Sequence, residues 1–161
     1  MIVLRYLYAL ALVVWLGGML VIGAIVAPSA FDVLPQQQVS GRLLAGALVG
    51  DVLRRFQLVS YGAGVVLLVS LTAMKFIGPR PAAFGLRAGI IMAMLALALV
   101  SGIWVTARIN RLQQQIGVPA STLDESDPRR AAFGRLHGLS TTLMLINMIG
   151  GLVLLIWEAR E

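Results

Sequence analysis

His137 is the only histidine of the chain, and it stands at the start of the last long apolar stretch. One turn on lie Ser140 and Thr141, followed by Met144 and Met148 on about the same helical face. Met19 in the first apolar stretch, and Met92 and Met94 in the third, also fall at middle depths. Imidazole and thioether groups suit Cu(I) and other soft metals, and the pair also suits haem iron. His137, Met144, Met148 and Met19 are therefore the candidate ligands of a copper or haem site, with His137 as the cofactor contact. The competing reading needs no cofactor. Methionine fills irregular gaps in helical cores, and His137 then bonds a neighbouring carbonyl or carboxylate.

Other chemistry is excluded or unsupported. The chain has no cysteine, which rules out disulfides, thiolate metal sites and cysteine nucleophiles. No Ser/His/Asp set, HExxH or phosphate-loop pattern occurs. The carboxylates Asp32, Asp51, Asp124, Glu125, Asp127, Glu158 and Glu161 all lie outside the apolar stretches. No acid, lysine or arginine occupies the middle of a stretch, where proton relays and coupled ion transport place one. The chain reads as a protein that is not an enzyme.

The elements that must position these residues are clear. Phe56–Met74 lies between Arg55 and Lys75, Ala88–Ala107 between Arg87 and Arg108, and Gly138–Trp157 between His137 and Glu158. Tyr6–Ala27 follows Arg5 and stops at Pro28. A hydrocarbon core about 30 Å thick takes roughly 20 apolar residues of helix. The chain is 59% hydrophobic and only 12% charged, with a mean hydropathy of +0.90, where a soluble domain carries about 25% charge. The expectation is one all-α, integral membrane four-helix bundle, with spans at about 3–27, 56–77, 86–108 and 137–158. The first apolar run, ~22 residues against 7–15 for a signal peptide, is read as a retained span. The excess of six positive charges is assigned to Lys and Arg at span ends meeting anionic lipid, with no nucleic-acid partner.

Between the spans, Pro28 ends the first helix and Pro35 keeps the next stretch from being helical. Ser40 then caps an amphipathic helix over about 41–55, in which Leu43, Leu44, Ala47, Leu48, Val52 and Phe56 recur at helical spacing. Ile77-Gly78-Pro79-Arg80-Pro81 is a hard stop and a tight link to span 3. Asp127-Pro128 reads as an N-cap followed by a first-turn proline. Helices 2, 3 and 4 should therefore extend beyond the bilayer on the side of loops 1 and 3. There Asp51, Arg54, Arg55, Arg108, Arg135 and Asp127 form a polar cap, with Asp51 reaching Arg108 or Arg135. That side holds eight arginines against five basic residues opposite, which places loops 1 and 3 in the cytoplasm.

Helices in lipid associate through small residues and polar contacts. Gly17 and Gly18, Gly62 and Gly64, and Gly150 and Gly151 supply small patches in spans 1, 2 and 4. Gly46 and Gly50, Gly85 and Gly89, and Gly134 and Gly138 are small residues four apart, and Asn147 can bond across helices. Four helices around one axis leave a filled core, so a channel needs an oligomer.

The run Phe133-Gly134-Arg135-Leu136-His137-Gly138-Leu139-Ser140 resembles the transmembrane protein 205 family and its bacterial relatives of unknown function. Trp15-Leu16-Gly17-Gly18-Met19, Leu34-Pro35, Leu53-Arg54-Arg55-Phe56, Trp104, Arg108 and Asp127-Pro128 are similar to the same family. The first span is also similar to copper-resistance membrane domains. The resemblance implies a four-span helical protein of the bacterial inner membrane. The family's eukaryotic branch is linked to resistance to platinum drugs, with sulfur side chains implied. Here only methionine sulfur remains, and Met144 stands where relatives carry asparagine, with Asn147 one turn later. The leading expectation is a non-enzymatic protein that handles small molecules or soft metals, without a cofactor. The alternatives are an accessory subunit of a larger membrane complex, or a copper- or haem-binding protein acting through His137. Its partners are the bilayer and either further copies of itself or the other subunits of such a complex.

Overall fold

The computed structural model describes residues 2–37, 40–77 and 81–160. The chain folds into four helices long and apolar enough to cross a bilayer: α1 (Ile2–Gln37), α2 (Gly41–Ile77), α3 (Phe84–Ile116) and α4 (Pro128–Glu158). A short 3₁₀ turn, Ala120–Thr122, interrupts the last connection. The helices share one core, which holds Tyr8, Leu12 and Trp15 of α1, Leu67 and Leu71 of α2, Ile91 and Met94 of α3, and Leu154 of α4. The outside is apolar as well. Val69, Ile103 and Ile149 are 61%, 68% and 61% exposed. A helix apolar on every side belongs in lipid, where its backbone groups satisfy one another.

α1 departs from the sequence expectation. It runs straight through Pro28 and on past Pro35 to Gln37. Proline inside a helix loses one backbone bond and clashes with the carbonyl four residues back. The chain absorbs Pro28 by widening the turn before it. Over Ile22–Val26 the helix is π-type, and the Ala27 N–H donates to the carbonyl of Ile22, five residues back. At 36 residues, α1 is about 54 Å long, against about 30 Å of hydrocarbon. All four helices, α1 included, are therefore longer than the hydrocarbon core is thick, where an extension of three is expected from the sequence.

The 41–55 segment is the first part of α2, continuous with its apolar stretch. Ser40 contributes its main-chain carbonyl, which accepts from the N–H groups of Leu43 and Leu44 at 3.0 and 3.1 Å. Gly41 is buried where α2 turns back against α1. A Cβ there would sit 2.1 Å from the carbonyl oxygen of Leu34. The expected tight link at 78–80 lies outside the described residues. α4 opens on Asp127, whose carboxylate accepts from the Arg129 N–H at 2.8 Å, with Pro128 in the first turn. The Arg129 side chain and backbone N–H hold that carboxyl below the usual range. The cap is thus present above ordinary carboxylate pH and lost as the pH falls through the depressed value.

Candidate functional site

Two polar features lie inside the four-helix unit, one at each level. The first closes the end opposite loops 1 and 3. Arg87, in the first turn of α3, is 0% exposed. Its guanidinium is salt-bridged to Glu158, the last residue of α4, and lies 4.7 Å from the ring centroid of Tyr8 in α1. Three helices are tied together by one cation. A fully buried arginine is held only where an anion and hydrogen bonds offset its desolvation. Nothing in the sequence reading singled out Arg87 and Glu158 except as span-end charges. The available signal was that opposite charges close two neighbouring spans on the same side.

The second feature is a polar belt around a π turn in α3, Val100–Val105. Gly102 sits against α2 so closely that a Cβ would be 2.3 Å from the Tyr61 hydroxyl and 2.7 Å from Gln57 Oε1. The Tyr61 hydroxyl donates to the Ala98 carbonyl at 3.4 Å, and the Thr106 hydroxyl to the Ser101 carbonyl at 2.9 Å. The Gln57 amide donates to Thr106 Oγ1 at 3.4 Å. A π turn leaves carbonyls without a regular partner, and here neighbouring side chains supply donors. Such turns are frequent at functional sites.

Asn147 of α4 is 5% exposed, and its Oδ1 has no hydrogen-bond partner among the described residues. One turn away, Gly151 meets Leu16 of α1, and a Cβ at Gly150 would lie 3.1 Å from the Met94 sulfur of α3. An orphaned buried amide costs about 1–3 kcal/mol. Asn147→Leu should therefore raise stability in detergent by about 1–2 kcal/mol. A measured loss would reject this and mean that the amide has a partner inside the folded protein.

The candidate metal ligands fall in different surroundings. His137 is exposed, its ring stacked on Phe133 with centroids 6.3 Å apart. Met19 is buried in the core, and Met144 and Met148 pack against it half-buried. Met144 reaches toward Gly23, its Cε 3.5 Å from where a Cβ would stand. No cluster of three or more His, Asp or Glu that could hold a metal occurs among the described residues.

At the loop end, the ion pairs among the described residues are local. Asp51 meets Arg54 and, at 2.7 Å, Arg55, both on its own helix. Arg108 lies over the Trp104 ring at 5.4 Å, and Asp127 pairs with Arg129. Asp51 thus does not reach Arg108 or Arg135, because α2 offers it two partners within one turn. Of the small residues, Gly18, Gly64, Gly150 and Gly151 face neighbouring helices at close range. Gly17, Gly62 and Gly138 do not: a Cβ on any of them meets nothing within 4 Å. An open apolar groove lined by Leu68, Val69, Thr72, Ala73 and Phe76 lies along α2 alone.

A family model, described as a domain of unknown function, DUF4149, matches residues 10–117. The chain belongs to the DUF4149 family. The match runs from α1 through the end of α3, and so includes Arg87, both π turns and the Gln57–Tyr61 belt. α4, with His137, Asn147 and Glu158, lies beyond it. No curated protein and no solved structure matches the chain.

Proposed function

We propose that this DUF4149 protein is a non-enzymatic, multi-pass membrane subunit that works laterally associated, either with copies of itself or with a fixed partner. One observation carries the reading. Gly62, the pair Gly85 and Gly89, and the pair Gly134 and Gly138 are exposed, and a Cβ at any of them meets nothing within 4 Å. Glycine inside a helix costs about 1 kcal/mol relative to alanine. In lipid that cost is offset where a second helix approaches closely. Within the chain Gly18, Gly64 and Gly151 meet such neighbours, and the outward glycines await helices from elsewhere. The filled core supports the same view, since a path across the bilayer would need more than one chain.

The setting proposed with it is the bacterial inner membrane, loops 1 and 3 in the cytoplasm, in the manner of the transmembrane protein 205 relatives. The test is cross-linking in native membranes followed by mild extraction and mass spectrometry. The expected result is a homo-oligomer or a co-eluting partner, weakened by Gly89→Ile or Gly138→Ile. A monomer in membranes, unchanged by either substitution, would overturn the proposal.

Handling of a soft metal is the second reading. It is favoured by Met19, Met94, Met144 and Met148, thioethers from three helices in one core. Copper would then be held by sulfur inside the protein, without the exposed His137. Metal analysis after expression with copper and haem supplied tests it, and protein free of both would reject it.

A further inference from the structure

We propose that the outer groove between α3 and α4, at the loop 1 and loop 3 end, is a binding site for the headgroup of an anionic phospholipid, held by Arg108 and Arg135. Charge pairing leaves few of the arginines at this end without a carboxylate. Arg54 and Arg55 share the single carboxylate of Asp51, while Arg129 pairs with Asp127 and Arg130 with Glu125. Arg42 is bonded to the Ser121 hydroxyl. Arg108, Arg111 and Arg135 are exposed and have no carboxylate partner among the described residues, and Arg111 lies about 60° around α3 from Arg108.

Helix geometry brings the two together. α3 and α4 run antiparallel, and Met94 touches Gly150. From Met94 to Arg108 is about 21 Å of helix, and from Gly150 back to Arg135 about 22 Å. They therefore stand at the same level within a turn. Arg135 lies about 60° around α4 from Gly150, which faces α3, and about 160° from Gly151, which faces α1. On α3, Arg108 lies about 160° around from Thr106, whose hydroxyl meets Gln57 of α2. It is turned away from α2, toward the α4 side. Two like charges flanking one groove, unneutralised by the protein, call for an anion.

The surroundings choose a lipid over a free anion. Arg108 is steadied over the ring of Trp104, which is 49% exposed one turn toward the bilayer. Tryptophan favours the headgroup level. Ile103, next to Trp104 in the chain, and Leu139, one turn on from Arg135, are 68% and 39% exposed, an apolar floor for acyl chains. Arginine matches phosphate with a planar fork of donors. The site thus offers cations above, an aromatic at the boundary and hydrocarbon below.

The experiment uses the full chain in phosphatidylcholine bilayers with and without phosphatidylglycerol. The readouts are the thermal midpoint and the phosphatidylglycerol retained in native mass spectrometry. Wild-type protein should be stabilised by phosphatidylglycerol and retain it. Arg108→Gln and Arg135→Gln should each weaken retention about fivefold, the worth of one basic residue near an anionic surface. Arg54→Gln should leave it unchanged. Inorganic phosphate in phosphatidylcholine bilayers should not reproduce the stabilisation. Equal retention in wild type and both groove variants would overturn the proposal, as would full replacement of the lipid effect by inorganic phosphate.

Discussion

Arg87→Met should destabilise the protein by about 3–5 kcal/mol, the cost of removing one partner from a buried ion pair. The arginine is 0% exposed and Glu158 only slightly more so, at 12% of its side chain. Removing the cation leaves a largely buried carboxylate without the salt bridge that Arg87 gives it. Loss of the guanidinium also breaks the contact that ties α1 to α3 and α4 at this end. The double variant Arg87→Met with Glu158→Leu should recover most of the loss, because a well-packed apolar pair replaces a buried ion pair at little or no cost. The measurement is unfolding in mixed micelles or thermal melting in detergent. If the single variant melts with the wild type, the pair does not hold the helices together. If the double variant is as unstable as the single, the loss comes from packing and not from the stranded charge.

Gly41→Ala carries the second large effect. Its Cβ would lie 2.1 Å from the Leu34 carbonyl oxygen and 2.6 Å from the Pro35 Cα. Both are backbone atoms near the end of α1, so no rotamer change relieves the overlap. The helix ends must part, and overpacking of this kind costs about 1–3 kcal/mol and at times more. Gly46→Ala, on the same helix, is the matched control. Nothing lies within 4 Å of its Cβ position, and alanine there should be neutral or stabilising by about 1 kcal/mol through helix propensity. Thermal melting of the two variants side by side decides it. An unchanged midpoint for Gly41→Ala would show that the α1–α2 turn is looser than its geometry.

The two variants also mark how much was legible in the residues themselves. Both glycines sit in the same kind of local pattern, and no spacing rule separates them. Gly41 is buried against backbone and Gly46 faces outward because of how α1 folds back on α2. The same holds for the glycines proposed for packing: Gly18, Gly64, Gly150 and Gly151 meet neighbours, whereas Gly62 and Gly138 do not. Local rules make Pro28 and Pro35 helix breaks. They are carried inside α1 because a π turn at Ile22–Val26 opens the ladder just before the first of them. Nothing in the spacing keeps Asp51 from a partner on another helix, yet Arg54 and Arg55 one turn on are nearer in sequence and reach it first.

The amino-acid sequence by itself determined that this chain makes four helices suited to a bilayer. The reason is local: a long run without charge must satisfy its own backbone groups in hydrocarbon, and only the helix does so within one segment. The tertiary structure alone decided that Arg87 and Glu158, 71 residues apart, become one buried ion pair against Tyr8. It alone left the Asn147 Oδ1 without a hydrogen-bond partner among the described residues. Those outcomes depend on which helix faces meet and at what register, and that is a property of packing between distant segments.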